Sequence, residues 1–123
     1  MSNLPSNFEE AIKNAKRLSN KILIDGKLIS PSTDNKIKVI NPSTGENIGE
    51  APQCDKNDVD QAVKSSLNAF NKWKKIPARE RGKLVELGAR NLEIRKGEIE
   101  TLLSLDTGNA LRTQAKPETA ASI

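Results

Sequence analysis

Histidine is absent from this 123-residue sequence, and cysteine occurs once, at Cys54. Without an imidazole the chain lacks the commonest general base, proton shuttle and nitrogen ligand for metals. A Ser-His or Cys-His catalytic pair therefore cannot be assembled within it. One thiol without any imidazole also cannot supply the four ligands of a Cys/His zinc site.

Aromatic residues and long apolar runs are equally scarce. Phe8, Phe70 and Trp73 are the only aromatic residues, so we expect a thin core. No stretch approaches the roughly 20 apolar residues that span a bilayer, and the polar start lacks the basic-then-apolar order of a secretion signal. A single cysteine excludes an internal disulfide. These absences predict a cytoplasmic protein without a membrane partner.

The net charge of +4 comes from 20 basic and 16 acidic residues. Nucleic-acid binding calls for basic residues clustered on one face. Here acidic residues are interspersed almost throughout, so we expect no nucleic-acid partner.

The first third of the chain predicts a helix and then a hairpin. Residues 6–18 have apolar residues at helical spacing, and Ser6 with Glu9 fits a capping box. We assign residues 1–20 to an N-terminal helical extension. The stretch "ILIDGKLI" then joins two apolar runs through Asp25-Gly26, which favours a type I′ turn.

The stretch "VINPSTGENIGEA" (39–51) raises the question of a phosphate-binding loop. Such a loop needs a second glycine before a Gly-Lys-Ser/Thr sequence, whereas Gly45 is followed by Glu46, whose charge repels phosphate. Asn41, Pro42 and Gly45 are instead typical of a tight reversal. We therefore predict a turn joining strands at 36–39 and 47–51.

Helical periodicity begins at Asn57, which we predict as the N-cap of a helix that ends before Pro77. Further helices are predicted over 78–95 and 97–106, the latter ending at a left-handed Gly108. Gly88 is expected to let another element approach closely. A fourth helix is predicted to start at Pro117, and the sequence then stops six residues later, inside that helix.

Four stretches in this order resemble the N-terminal portion of the aldehyde dehydrogenase superfamily: "ILIDGKLI", "VINPSTGENIGEAP", "DVDQAVKSSLNAFNKWKKIPARERGKLV" and "LLSLDTGNA". The resemblance covers about residues 22–123 and implies an α/β fold. It would be the N-terminal part of the aldehyde dehydrogenase fold, a β-hairpin and a strand pair followed by helices, incomplete as given. Residues 21–123 would form the start of the nucleotide-binding domain.

The resemblance implies oxidation of a small-molecule aldehyde to a carboxylic acid with NAD or NADP, in a homo-oligomeric enzyme. In that family a cysteine thiolate forms a thiohemiacetal that passes hydride to the cofactor. The family's reactive cysteine, its glutamate and its cofactor loops lie beyond the position of Ile123. No catalytic or cofactor-binding residue is therefore predicted here, and the chain alone is expected to be inactive. The alternative is a freestanding, non-catalytic binding or regulatory module derived from the same fold.

One site carries over from the resemblance. Many family members bind a monovalent cation, K⁺ or Na⁺, through carbonyls that match Val39 and Ile40 and through an aspartate that matches Asp106. The alternative is that Asp106 only belongs to the end of its helix. Cys54, in a polar connection beside an acidic residue, is expected to be structural or incidental.

The resemblance also predicts that apolar helix faces are left partly uncovered, because in the family they pack on later strands. These faces carry Val63, Phe70, Leu84 and Leu87.

Overall fold

The computed structural model describes residues 6–123, with the side chains described from Asn7 onward. The elements in chain order are α1 (Ser6–Leu18), β1 (Ile22–Ile24), β2 (Lys27–Ile29), β3 (Lys36–Ile40), β4 (Asn47–Pro52), α2 (Lys56–Trp73), α3 (Ala78–Ile94), α4 (Lys96–Thr107), a π-helical turn (Leu111–Ala115) and α5 (Lys116–Ser122). The predicted order of helix, hairpin, strand pair and helices is confirmed. The capping box expected at Ser6 involves a side chain that lies outside the described residues.

β1 and β2 form an antiparallel hairpin in which Ile22 lies opposite Ile29. The two residues of its turn, Asp25 and Gly26, have φ angles of 52° and 71°. Positive φ at both central positions defines a type I′ turn, which matches the twist of the flanking strands. The predicted turn type is therefore confirmed.

The N-terminus of α2 differs from the prediction, because Asp55 rather than Asn57 is the N-cap. One carboxylate oxygen of Asp55 accepts hydrogen bonds from the backbone N–H of Asn57 (2.8 Å) and of Asp58 (3.0 Å). Asp58 closes the capping box by accepting from the Asp55 N–H at 3.3 Å. The Asp58 N–H is the main cause of a lowered pKa at Asp55, aided by the N–H groups of Asn57.

Asp58 also fastens α2 to the loop that follows the hairpin. Its buried carboxylate accepts from the Ser32 N–H at 2.9 Å and from the Ser32 hydroxyl at 3.0 Å. Two segments that are 26 residues apart in sequence are thus joined by two hydrogen bonds to one charged group. Bonds of this charge-assisted kind are stronger than neutral ones.

Most of the small core lies where α1 and the C-terminal helices meet the strand pair, and Ile24 of β1, which packs on α2, is buried apart from it. α1 contacts α4 and β4, while the π-helical turn and α5 pack against α4. Among the described residues no large side chain is fully buried. The buried apolar residues are Ala11, Ile24, Ile48, Leu105 and Ala115. This agrees with the thin core expected from the lack of aromatics.

α2 and α3 expose much of their apolar surface, as the resemblance predicted. Val63, Phe70, Leu84 and Leu87 are each more than half exposed, at 61%, 55%, 51% and 56%. The expectation of a close approach at Gly88 is wrong for the part of the chain described, since no atom lies within 4 Å of a Cβ built there. No helix within residues 6–123 is long and apolar enough to cross a membrane.

The last helical segment begins before the predicted start at Pro117. The N–H groups of Gln114 and Ala115 both donate to the Ala110 carbonyl, at 3.0 and 3.2 Å, and open a π-helical turn. Pro117 then lies in the first turn of α5. A missing N–H costs least there, in the first turn of a helix.

Candidate cation site

The turn between β3 and β4 satisfies its own backbone groups. Asn41, only 4% exposed, accepts the Thr44 and Gly45 N–H groups at its carbonyl, at 3.3 and 2.8 Å. Its side chain accepts from the Ser43 N–H at 2.9 Å, and the Glu46 N–H donates to the Thr44 hydroxyl at 3.3 Å. A phosphate-binding loop must point such N–H groups at its ligand, whereas here they are bonded within the turn. The predicted tight reversal is confirmed.

Gly108 brings the end of α4 against this turn. It has a φ of 76° and donates its N–H to the Ser104 carbonyl at 3.0 Å, so it is the predicted left-handed C-cap. A Cβ at position 108 would lie 2.9 Å from Cγ of Pro42. Glycine is therefore required at position 108 for two reasons: the backbone is left-handed, and Pro42 leaves no room for a Cβ.

The segment after Gly108 is held to the C-terminal helix. The Ser104 hydroxyl donates to the Asn109 carbonyl at 2.7 Å. The Asn109 amide reaches both carboxylate oxygens of Glu118 in α5, each at 3.3 Å. The end of α4 is thus fixed on one side by the turn and on the other by α5.

This junction places two of the three predicted ligands beside one cavity. Val39 and Asp106 line an open cavity of about 410 Å³, whose other walls are mainly apolar side chains of α1, β4 and α4. Glu50 also lines this cavity, although no motif in the sequence singled it out. Ile40 is not among the lining residues and is 43% exposed. As a ligand Ile40 would bind through its backbone carbonyl, so the exposure of its side chain does not bear on that role.

The strand pair is irregular where the predicted carbonyl ligands lie. Val39 lies opposite Gly49, but Ile40 lies opposite Asn47, so Ile48 is an extra residue in β4. The Asn47 side chain accepts the Gly49 N–H at 2.9 Å beside this bulge. A bulge interrupts the ladder and leaves backbone groups without their regular cross-strand partners. The bulge was not predicted, although Asn47 and Gly49 flanking an apolar residue are a weak signal for it.

The charge of Asp106 is not balanced by any described residue. It lies exposed in the last turn of α4, a turn without a basic residue, where an anion opposes the helix dipole. Within residues 6–123 its side chain makes no hydrogen bond or ion pair, while Glu50 is paired with Lys36 at 3.1 Å. One free carboxylate next to irregular backbone offers the oxygen ligands that a hard cation prefers.

Other metal chemistry finds no support in the described part of the chain, which contains no group of three or more His, Cys, Asp or Glu side chains able to hold a metal. Cys54 is exposed in the connection between β4 and α2 and does not line the cavity of Asp106. Its neighbour Asp55 is occupied in capping α2. Cys54 therefore has no geometric link to the candidate site.

Comparison with known sequences identifies one family. A family model described as "Aldehyde dehydrogenase family" matches residues 29–123. Aldehyde dehydrogenase tropH of Talaromyces stipitatus is 36% identical over 98 residues, which cover 80% of this chain and 19% of that protein. The D-glyceraldehyde dehydrogenase (NADP(+)) of Picrophilus torridus is 35% identical over 99 residues, 80% of this chain and 20% of that protein. The chain spans about a fifth of the length of these relatives.

Solved structures give the same result for the fold. HpcC from Thermus thermophilus superimposes with a TM-score of 0.86 over 93% of this chain and 22% of that one, at 25% identity. Betaine aldehyde dehydrogenase from Staphylococcus aureus, in complex with NAD⁺, gives 0.84 over 94% and 23%, at 26% identity. The hairpin, strand pair and helices therefore form the N-terminal portion of that α/β fold.

Replacing Gly108 by alanine is expected to loosen the junction. An L-residue in the left-handed conformation costs about 1–2 kcal/mol, and the new Cβ would also collide with Pro42. Amide hydrogen exchange at Gly45 and at residue 108 should accelerate roughly 5- to 30-fold. The matched control is Gly88→Ala, in the open interior of α3, which should be neutral or stabilising by up to about 1 kcal/mol. Unchanged exchange at both amides in Gly108→Ala would show that the contact does not hold the turn.

Proposed function

The chain belongs to the aldehyde dehydrogenase family, and from this membership we propose that it forms the N-terminal portion of an oxidoreductase that converts an aldehyde to a carboxylic acid with NAD or NADP. The observation that carries the proposal is the family match over residues 29–123. NAD is supported by the similar Staphylococcus aureus structure in complex with NAD⁺. NADP is supported by the name of the Picrophilus torridus relative.

In this proposal the chain has a structural role and contributes no assigned catalytic residue. A nicotinamide cofactor would supply the hydride acceptor for this oxidation, and no residue of this chain is assigned to hold it. Cys54 is not assigned that role, because it is exposed in a connecting segment and no imidazole exists in the sequence to activate it. Residues 21–123 are assigned to the start of the nucleotide-binding domain and residues 1–20 to a helical extension, which packs through α1 on α4 and β4.

Within the same proposal, Asp106 and the carbonyls of Val39 and Ile40 hold K⁺ or Na⁺. Support comes from the shared cavity of Val39 and Asp106, the bulge beside Ile40 and the unpaired carboxylate. The cation would neutralise an anion at a helix C-terminus and tie the end of β3 to the end of α4. Its role would be structural, since no reacting group is assigned to this part of the fold.

The aldehyde itself is left open by the relatives, whose names range from D-glyceraldehyde to malonate-semialdehyde and retinaldehyde. A cytoplasmic location and a homo-oligomeric assembly are part of the proposal and rest on the resemblance. Nucleic acid is not a proposed partner, because acidic residues are interspersed with the basic ones and pair with two of those in α3. Arg90 pairs with Glu86 at 2.7 Å, and Lys83 pairs with Glu80 at 3.0 Å.

A second candidate function is a freestanding, non-catalytic binding or regulatory module. The observation that favours it is the exposed apolar surface of α2 and α3, which is suited to contact with another polypeptide. Such a module would bind a full-length relative in a stable complex, whereas a lone structural segment would not.

The 123-residue chain should show no aldehyde oxidation. When it is purified and incubated with a panel of aldehydes and either NAD⁺ or NADP⁺, nicotinamide absorbance should not rise above the enzyme-free rate. The reason is that no nucleophile with an activating partner is present. The control is Cys54→Ser, because a trace activity shared by both preparations would mark a contaminant. Aldehyde-dependent reduction by the wild type that Cys54→Ser abolishes would contradict the proposal.

Cation binding should appear as stabilisation that depends on Asp106. At a K⁺ or Na⁺ concentration ten times the dissociation constant, the free energy of unfolding should rise by about 1.4 kcal/mol relative to choline chloride. The rise should be lost in Asp106→Asn. The control is Asp60→Asn, which removes an exposed carboxylate paired with Lys56 on the surface of α2 and should keep the response. Equal responses in wild type, Asp106→Asn and Asp60→Asn would rule the site out.

A further inference from the structure

The N-terminal helix forms one wall of the cavity that Asp106 lines. Ile12 and Ala15 of α1 line this cavity, as does Ser19 just after the helix. Val39 lines it from β3, and α1 itself contacts both α4 and β4. The candidate cation site is therefore enclosed on one side by the helical extension.

The packing of α1 depends on a small buried residue that lies away from this cavity. Ala11 is only 2% exposed and borders a separate, smaller cavity together with Gly97 and Thr101 of α4. It does not line the cavity of Asp106. A larger side chain at position 11 would therefore displace α1 from α4 without changing any residue in the wall of the cation site.

The end of α1 is attached to β4 by weak bonds. The Glu50 N–H donates to the Ser19 hydroxyl at 3.4 Å, and the Asn20 N–H donates to the Glu50 carbonyl at 3.3 Å. Both distances exceed the usual range for N–H···O hydrogen bonds. The side-chain oxygen of Asn20 is buried and accepts no hydrogen bond from residues 6–123, which opposes docking. These contacts are typical of a segment that opens more readily than the rest of a fold.

α1 would not keep its structure once it leaves this surface. It has 13 residues, and isolated helices shorter than about 12–15 residues are marginal in water. Detachment therefore coincides with unfolding of α1 and admits water to the cavity. The attraction between Asp106 and a cation is weaker in water than in a poorly hydrated site, so the detached state should bind a cation less tightly.

We propose that docking of α1 and binding of K⁺ or Na⁺ beside Asp106 stabilise each other. This inference rests on the cation site of the proposed function and concerns the regulation of that site. Linkage between two binding events is reciprocal, so the factor by which docked α1 raises cation affinity equals the factor by which the cation favours docking. A chain without its cation would release α1, and a chain with α1 displaced would release its cation.

The first arm of the test is amide hydrogen exchange of the wild-type 123-residue chain in saturating KCl and in choline chloride of the same ionic strength. Amides of residues 11–18 should exchange roughly tenfold more slowly in K⁺, a factor within the range typical of coupled sites. The internal control is residues 60–73 of α2, which do not line the cavity. Their exchange should change by less than about twofold, because α2 opens independently of α1.

The second arm compares cation affinity, measured from thermal stabilisation, in two variants of α1. Ala11→Gln places a neutral, helix-favouring side chain in a position too small for it, and should raise the dissociation constant of K⁺ roughly tenfold. The matched control is Lys13→Gln, which puts the same residue on the exposed side of α1 and should keep the wild-type affinity. Faster exchange of residues 12–18 in Ala11→Gln shows that α1 is displaced. If Ala11→Gln does not fold, or keeps α1 docked, the exchange of the wild type decides.

Two results would overturn this inference while leaving the cation site in place. The first is K⁺ stabilisation that depends on Asp106 without any slowing of exchange in α1 beyond that in α2. The second is an unchanged K⁺ affinity in Ala11→Gln when its α1 is displaced. Stabilisation by K⁺ or Na⁺ that is absent in the wild type, or retained in Asp106→Asn, would instead remove the cation site and this inference together. The proposed enzymatic role would stand after each of these results.

Discussion

The contact between Gly108 and Pro42 is the constraint on which the rest of this structure depends. A left-handed residue without a side chain allows the end of α4 to lie directly on the β3–β4 turn. Because the turn uses its own N–H groups internally, it is a compact surface against which a helix can pack. The same contact brings Asp106 to the cavity that Val39 lines. The candidate site therefore exists because two distant segments are joined at one point.

Elsewhere polar groups make many of the contacts between elements, as expected for a chain that buries few large apolar side chains. Asp58 links α2 to Ser32, and Asn109 links the end of α4 to Glu118. The apolar faces of α2 and α3 contribute little to the interior, since α3 has no buried residue. Polar contacts therefore hold the elements together although much of the apolar surface of α2 and α3 is exposed.

Local signals in the sequence predicted most of the elements. Asp25-Gly26 and Gly108 need positive φ, and that requirement can be read without knowing the neighbours. The N-cap of α2 could not be read in this way. Asp55 and Asn57 are both good caps, and the choice depends on Asp58, which a contact with Ser32 holds in place. A capping box is visible in the sequence only when the position of the cap is already known.

The candidate site was predictable only through resemblance. Nothing local in Val39 or Asp106 marks either residue as a ligand, and the bulge at Ile48 depends on how β4 pairs with β3. The same limit applies to the apolar faces of α2 and α3, whose spacing shows in the sequence although what covers them does not. The expectation for Gly88 failed for the same reason. A glycine on an apolar stripe does not by itself show that another element lies close to it, and no described atom does.

The central claim is that the end of α4 rests on the β3–β4 turn. Nuclear Overhauser effects between the Gly108 α protons and the Pro42 ring protons test it most directly. We expect strong cross-peaks, since a Cβ at position 108 would lie 2.9 Å from the Pro42 Cγ. Well-resolved signals from both residues without cross-peaks between them would contradict it.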